Sequence, residues 1–144
     1  MIHFQAVDVS LPEALHEAHS DWIRRIIKHF KRKTGEVFFL FCSDSYLHRI
    51  NLDFLNHDTF TDIITFDLSE KEDYIQSEIY ISLERVSENA EIQKDTIQNE
   101  LDRVLCHGIL HLIGYKDETS EEKSEMRKME EFCLSMRPDI LKNR

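Results

Sequence analysis

Glycine and proline are scarce in this chain, at three and two of 144 residues. That scarcity excludes collagen-like, proline-rich and low-complexity architectures and points to a compact, helix-rich protein. Cysteine is also rare: Cys42, Cys106 and Cys133 are odd in number, widely spaced and without a C-x-x-C pair. Neither a disulfide framework nor a zinc ribbon fits that pattern, so small buried thiols are expected. No run of 18 apolar residues occurs, and Met1-Ile2-His3-Phe4-Gln5 has neither the basic start nor the apolar stretch of a signal peptide. No membrane partner is therefore expected, and a cytoplasmic location is. Positive charge is short as well: 18 Lys and Arg stand against 28 Asp and Glu, a net charge of −10. As a sum, that argues against binding phosphate-rich partners.

The distribution of charge changes this reading. Residues 24–33, Arg-Arg-Ile-Ile-Lys-His-Phe-Lys-Arg-Lys, hold six of the 18 basic residues and no acid. One face of the molecule can be basic enough to meet RNA, although the solvated side of an amphipathic helix has the same composition. With 41% apolar residues, the chain is long enough for one buried core, and residues 1–144 are expected to form a single domain with one active site.

Phe4, Val7 and Val9 alternate as in a strand over residues 2–9. Ser10 and Pro12 then suit the start of a helix over about 12–32, with Leu15, Trp22, Ile23, Ile26, Ile27 and Phe30 inward and Thr34-Gly35 as its stop. Val37 to Cys42 is a short apolar run, as expected of a strand covered on both faces. Ser43 or Ser45 can cap a short helix with Leu47, Ile50 and Phe54 inward. Residues 61–68 and 75–83 read as an antiparallel hairpin. Helices are predicted over about 83–93, 96–113 and 120–135, the last opened by a Thr119/Glu122 capping box and carrying Met126, Met129, Phe132 and Cys133 inward. The fold class is α+β: a mixed four-stranded sheet packed against about five to six α-helices.

The chemistry is concentrated in Leu105-Cys106-His107-Gly108-Ile109-Leu110-His111-Leu112-Ile113-Gly114-Tyr115-Lys116-Asp117. Residues four apart lie on one helix face, so His107 and His111 can reach one cation. Gly114 can take the left-handed conformation that ends a helix and turns the chain back, letting Asp117 return to the same point. Three imidazole and carboxylate ligands, with a fourth position left to water, describe catalytic rather than structural zinc. The spacing is that of the metzincin helix, and chance would produce it in roughly one chain per thousand of this composition. A lone histidine is more often a side chain hydrogen-bonded to a carbonyl. Here the pairing, the glycine, the carboxylate and the apolar surroundings favour one metal ion per chain. Glu118 is the competing third ligand. Zinc peptidases of the His-Glu-x-x-His type use the residue after the first histidine as general base, and Gly108 stands there. Phosphodiester hydrolysis remains feasible, because zinc lowers the pKa of water and offsets charge on a phosphoryl oxygen.

The segment His107–Tyr115 resembles the hallmark H-G-x-L-H-L-x-G-Y-D-H of the YbeY family of bacterial metallo-endoribonucleases. Asn51-Leu52-Asp53-Phe54 with Thr61-Asp62-Ile63-Ile64-Thr65-Phe66 is similar to its N-x-x-[YF] and T-D-V-L-S-F block, and Ser77–Ser82 to its G-D-I-x-I-S strand. The resemblance implies a zinc-dependent endoribonuclease acting on single-stranded RNA, with 16S rRNA and the small ribosomal subunit as partners in 3′-end maturation and ribosome quality control. Catalytic and metal-binding roles then fall on His107, His111 and Asp117. Two departures stand out. Asp117 replaces the family's third histidine, and Leu55 occupies the place of an arginine that would grip phosphate, with Arg49, His48 and His57 as substitutes. Glu100 and Arg103, two turns and one turn before His107, can orient it or pair on the surface. The rival functions are a metallopeptidase-like hydrolase and a non-catalytic ribosome-assembly factor with a structural metal.

Overall fold

The computed structural model describes residues 1–57 and 61–144. In chain order the elements are β1 (Ile2–Ala6), α1 (Ala18–His29), β2 (Lys33–Cys42), α2 (Asp44–Leu55), β3 (Ile63–Asp67), β4 (Tyr74–Ser82), α3 (Leu83–Ile92), α4 (Ile97–Ile113), α5 (Ser120–Ser135) and α6 (Asp139–Lys142). The strands form one mixed sheet in the order β1-β2-β4-β3. β1, β2 and β4 run parallel, and β3 is antiparallel to β4, with Thr65 opposite Ile79. The expected α+β class, the four strands and the hairpin are all present.

The main core lies on one face of the sheet. Phe39, Phe41, Ile79 and Ile81 from the strands meet Trp22, Ile23, Ile26 and Ile27 of α1 and Leu101, Leu105 and Ile109 of α4. A second, smaller cluster of Cys42, Leu47, Ile50 and Ile64 seats α2 near Phe66 and Tyr80. All three cysteines are buried free thiols, and burial, with Asp8 and Asp44 nearby, pushes the Cys42 thiol up to about 12.

α1 is shorter than its hydrophobic stripe suggested, at both ends. Before it, a turn is closed by Leu15 N–H on the Pro12 carbonyl, and the His16 ring accepts the Ala18 N–H at 3.0 Å. An imidazole thus does the capping expected of Ser10. At the far end, Lys31 takes the left-handed conformation (φ 60°). Lys31 N–H binds the Lys28 carbonyl and Arg32 N–H the Ile27 carbonyl, a Schellman closure made without glycine. Thr34 and Gly35 therefore belong to β2 and do not stop the helix.

Two inward assignments are also corrected. Phe54 on α2 is 71% exposed, because α2 meets the sheet through Leu47 and Ile50, a turn earlier. On α5 the buried positions are Met126, Glu130, Cys133 and Leu134, and Phe132 is exposed. That helix is rotated so that a carboxylate faces α4.

Candidate metal centre

α4 is launched by Thr96, whose hydroxyl accepts the Asn99 N–H at 3.0 Å, and its middle is buried almost all round. Beyond its first turn it reaches partly open ground only near its C-terminal end, at His107 and from His111 to Ile113. One helical turn apart, their rings stand 4.6 Å centroid to centroid, nearly perpendicular. Gly114 then has φ +124°, and Gly114 and Tyr115 both return their N–H groups to the Leu110 carbonyl. An L side chain is strained at that φ, so glycine is what allows the chain to double back.

The reversal delivers Asp117. Its Oδ2 is 3.3 Å from Nε2 of His107 and 3.3 Å from Nε2 of His111, and the three donor atoms lie within 4.8 Å of one another. Tetrahedral ligands held about 2.0–2.1 Å from zinc stand about 3.3–3.4 Å apart, so the two nitrogen–oxygen spacings match such an ion. Glu118, the alternative third ligand, is exposed and outside this cluster. Its backbone N–H goes to Glu122 on α5.

The side chain that aims His107 comes from α5. Buried Glu130 accepts from His107 Nδ1 through Oε2 at 2.6 Å. This keeps the proton on Nδ1 and leaves Nε2 as the free ligand atom. Burial opposes charge on the His107 ring, but the bond to Glu130 and the charges of Glu130, Asp62 and Asp117 outweigh it and raise the pKa. Arg103 acts one step back, through Nη1 to Glu131 at 2.8 Å and to Glu130 at 3.4 Å. Glu100 touches Arg103 rather than His107, so of the two residues expected to orient His107, only Arg103 contributes, and indirectly. Glu130 had a signature in the sequence: it shares the apolar stripe of Met126 and Cys133, an improbable place for an unpaired carboxylate.

A cavity of about 260 Å3 opens over the three donor atoms, walled by Thr61, Asp62, Ile63 and Thr65. Burial raises the Asp62 carboxyl above the ordinary range, against the lowering influence of His107. A neighbouring cavity of about 300 Å3 shares Thr61, Ile63 and Thr65 and continues to Leu55, His57 and Asn51. Of the residues expected to stand in for an arginine at position 55, His57 reaches this wall, whereas His48 and Arg49 do not line it. The larger cavity of about 560 Å3 beside Pro12, Val86 and Ile97 lies away from these ligands.

Gly108 packs against the sheet. A Cβ there would sit 3.1 Å from Ile63 Cδ1 and 3.2 Å from Ile79 Cγ2. Any larger side chain would have to displace two packed isoleucines, so a glutamate cannot be accommodated without disturbing the helix–sheet contact.

The basic segment is partly engaged within the protein. Arg24 pairs with Asp21 at 2.5 Å and Lys33 with Asp73 at 3.8 Å. Arg32 donates to the carbonyls of Glu72 and Ile113, bracing the end of α4. Arg25, Lys28 and Lys31 remain exposed.

The family profile described as "Endoribonuclease YbeY" matches residues 2–137. The chain is 51% identical over 116 residues to the endoribonuclease YbeY of Cytophaga hutchinsonii, covering 81% of each chain. It is 49% identical to that of Amoebophilus asiaticus, covering 80% of this chain and 78% of the relative. With the Parabacteroides distasonis protein of the same name it shares 38% identity over 138 residues, 96% of both. Among solved structures, the solution structure of TM1509 from Thermotoga maritima superposes with a TM-score of 0.65 at 29% identity, covering 94% of this chain and 90% of that one.

Proposed function

The chain belongs to the YbeY family of endoribonucleases, and from that premise we propose that it hydrolyses internal phosphodiester bonds of single-stranded RNA with one zinc ion held by His107, His111 and Asp117. The observation that carries this reading is the convergence of two Nε2 atoms on one Asp117 oxygen at 3.3 Å each, inside a cavity large enough to admit a phosphodiester. When bound, zinc lowers the pKa of water towards neutrality and offsets negative charge on a phosphoryl oxygen.

The protein's own groups do the rest. Glu130 fixes the tautomer and tilt of His107. Gly114 sets the return of Asp117. Asp62, its carboxyl raised by burial, stands on the cavity wall and is the side chain there placed to exchange a proton with a bound substrate. Gly108 argues against a peptidase, because the position after the first histidine packs against Ile63 and Ile79 and carries no carboxylate, the group that peptide hydrolysis by such a helix requires.

On this reading residues 1–144 act as one domain, and the substrate is 16S rRNA at its 3′ end, met on the small ribosomal subunit during maturation and quality control. Arg25, Lys28 and Lys31 supply exposed positive charge for that encounter. No helix among the described residues is long and apolar enough to cross a membrane, in keeping with work in the cytoplasm.

Metal analysis paired with cleavage of a single-stranded RNA, on wild type and His111→Ala, tests the proposal. About one zinc per chain is expected in the wild type, with both metal and cleavage lost in the variant. Stoichiometric zinc surviving in His111→Ala would overturn the ligand assignment. A zinc-loaded wild type that cleaves no RNA would make the metal structural and the protein an assembly factor.

A further inference from the structure

Phe54 is the aromatic side chain that the core does not explain. It projects from the last turn of α2 with 71% of its surface exposed, and the ring beside it is Phe66 on β3, edge to face at 6.2 Å. Phe66 in turn meets Tyr80 at 5.9 Å, also edge to face. Tyr80 lies against Tyr46 at 6.4 Å with nearly parallel planes. These four rings, with Leu68 and Glu78, line a hollow of about 340 Å3 on the α2 side of the sheet. Phe54, Leu68 and Tyr46 are all open to solvent.

The hollow adjoins the metal cavity by way of one edge strand. Along β3, Ile63 and Thr65 point into the metal cavity, while Ile64 and Phe66 point towards α2. The intermediate cavity contains Ile63, Ile64 and Thr65 together, so it wraps the edge of β3, and the wall of the aromatic hollow begins at the next residue of the strand, Phe66. α2 tracks the same path, with Leu55 lining the intermediate cavity and Phe54 the aromatic one. A flexible strand seated over the metal ligands and passing around this edge reaches the rings next.

The lining also discriminates between the parts of such a strand. Among the described residues no Lys or Arg lines the hollow, and Glu78 does, 3.4 Å from the Tyr80 hydroxyl. A phosphate would be repelled there. A flat base finds ring faces to stack on, a carboxylate to accept its amino or imino N–H, and phenol hydroxyls for its other edge atoms.

We propose that this aromatic hollow between α2 and the edge strand β3 is a nucleobase-stacking subsite that holds one unpaired base of the RNA near the bond being cut. The inference rests on the ribonuclease reading given above and deepens it. Phe54, open on its outer side, is the principal stacking residue, and Tyr46 and Glu78 complete the wall.

The experiment is steady-state cleavage of a short single-stranded RNA by zinc-loaded wild type, Phe54→Ala, Phe54→Trp and Tyr46→Ala, with a matched series of RNAs each lacking one base. Because Phe54 lies outside the core, the alanine variant should keep its zinc and its fold. Its KM should rise about tenfold, as expected on losing a stacking partner, with kcat unchanged, the signature of lost ground-state binding. Phe54→Trp should restore the wild-type KM. The wild type should be sensitive to base removal at one position, and Phe54→Ala should lose that sensitivity. Unchanged KM in both alanine variants, or base-removal sensitivity that persists in Phe54→Ala, overturns the subsite and leaves the hollow as a contact surface for a protein. A wild type that does not cleave RNA overturns the ribonuclease reading and the subsite together, whereas cleavage unaffected by the variants overturns the subsite alone.

Discussion

α4 carries two histidine–carboxylate clusters, five residues apart in its sequence, and they are built to opposite ends. Around Asp102 everything is closed. His19 Nε2 donates to Oδ1 at 2.7 Å, Arg144 Nη2 to the same oxygen at 2.6 Å, and Arg137 Nη1 to Oδ2 at 2.9 Å. His19 and Asp102 are both fully buried. Around His107 the bond to Glu130 is just as short, at 2.6 Å, but the outward Nε2 atoms of His107 and His111 both face Asp117. There the side chains of His107, His111 and Asp117 are 18%, 29% and 38% exposed. A polar cluster whose donors and acceptors are all matched holds a fold together. One whose lone pairs converge on a common point and stop short of each other has the donor set to hold a metal ion.

This contrast makes predictions that separate the two clusters. The largest effect belongs to the closed one. Asp102→Ala leaves His19, Arg137 and Arg144 without their shared acceptor and should destabilise the fold by about 3–5 kcal/mol, read as a lowered urea midpoint. Zinc content per folded chain should not change, and a loss of zinc without a loss of stability would erase the distinction. The effect also has a defined pH window. Burial would raise the Asp102 carboxyl, but the His19, Arg144 and Arg137 hydrogen bonds lower it on balance. Its stabilisation is therefore complete above the ordinary carboxylate pKa of about 3.9 and is lost as pH falls below that towards the depressed value. The wild-type and variant midpoints should converge only in strong acid.

Glu100 precedes both clusters on α4 and meets Arg103. Its Oε1 is buried without a hydrogen-bond partner, and although Arg103 is 3.6 Å away, desolvation prevails and pushes the carboxyl from 4.5 up to about 7. A raised carboxyl binds its proton more tightly in the folded state, so stability should fall as pH rises through that window. At roughly 1.4 kcal/mol per pH unit, the loss is on the order of 3 kcal/mol. Glu100→Gln should abolish this slope, and denaturation profiles that still fall between pH 4.5 and 7 in the variant would count against it.

In the open cluster, Glu130→Gln should weaken zinc affinity about 10- to 100-fold, measured by competition with a chelating dye, while leaving His107 and His111 in place. An unchanged affinity would reduce Glu130 to a packing residue. The smallest effect is expected of Asp117→His. Zinc should be retained, and the loss of one negative charge beside it should move the acid limb of the pH–rate profile downward by less than about one pH unit. Loss of zinc in that variant would show that the short carboxylate, and not merely a third donor, is needed where Gly114 returns the chain.

Legibility followed the range of the forces involved. His107, His111, Gly114 and Asp117 could be read directly because all four lie within eleven residues, and the helix repeat with one left-handed glycine determines where they point. The β3–β4 hairpin and the capping of α2 and α5 were equally local. The errors in α1 came from rival local bonds: the His16 ring replaced the expected cap, and Lys31 ended the helix before Thr34-Gly35. Phe54 and Phe132 were misplaced because periodicity identifies a stripe but not how a helix is rotated against its neighbour.

What the sequence alone determined is therefore the convergence of His107, His111 and Asp117 on one point and the glycine at position 108, together with the α+β class, since these depend on residue type and on spacing along one or two turns. Only the tertiary structure decided that Glu130, 23 residues beyond His107, would aim it, that Asp62 would wall the cavity, and that Asp102 would be closed by groups from both ends of the chain. A buried charge is placed by whichever partner packing brings within hydrogen-bond reach, and that partner has no fixed distance in sequence.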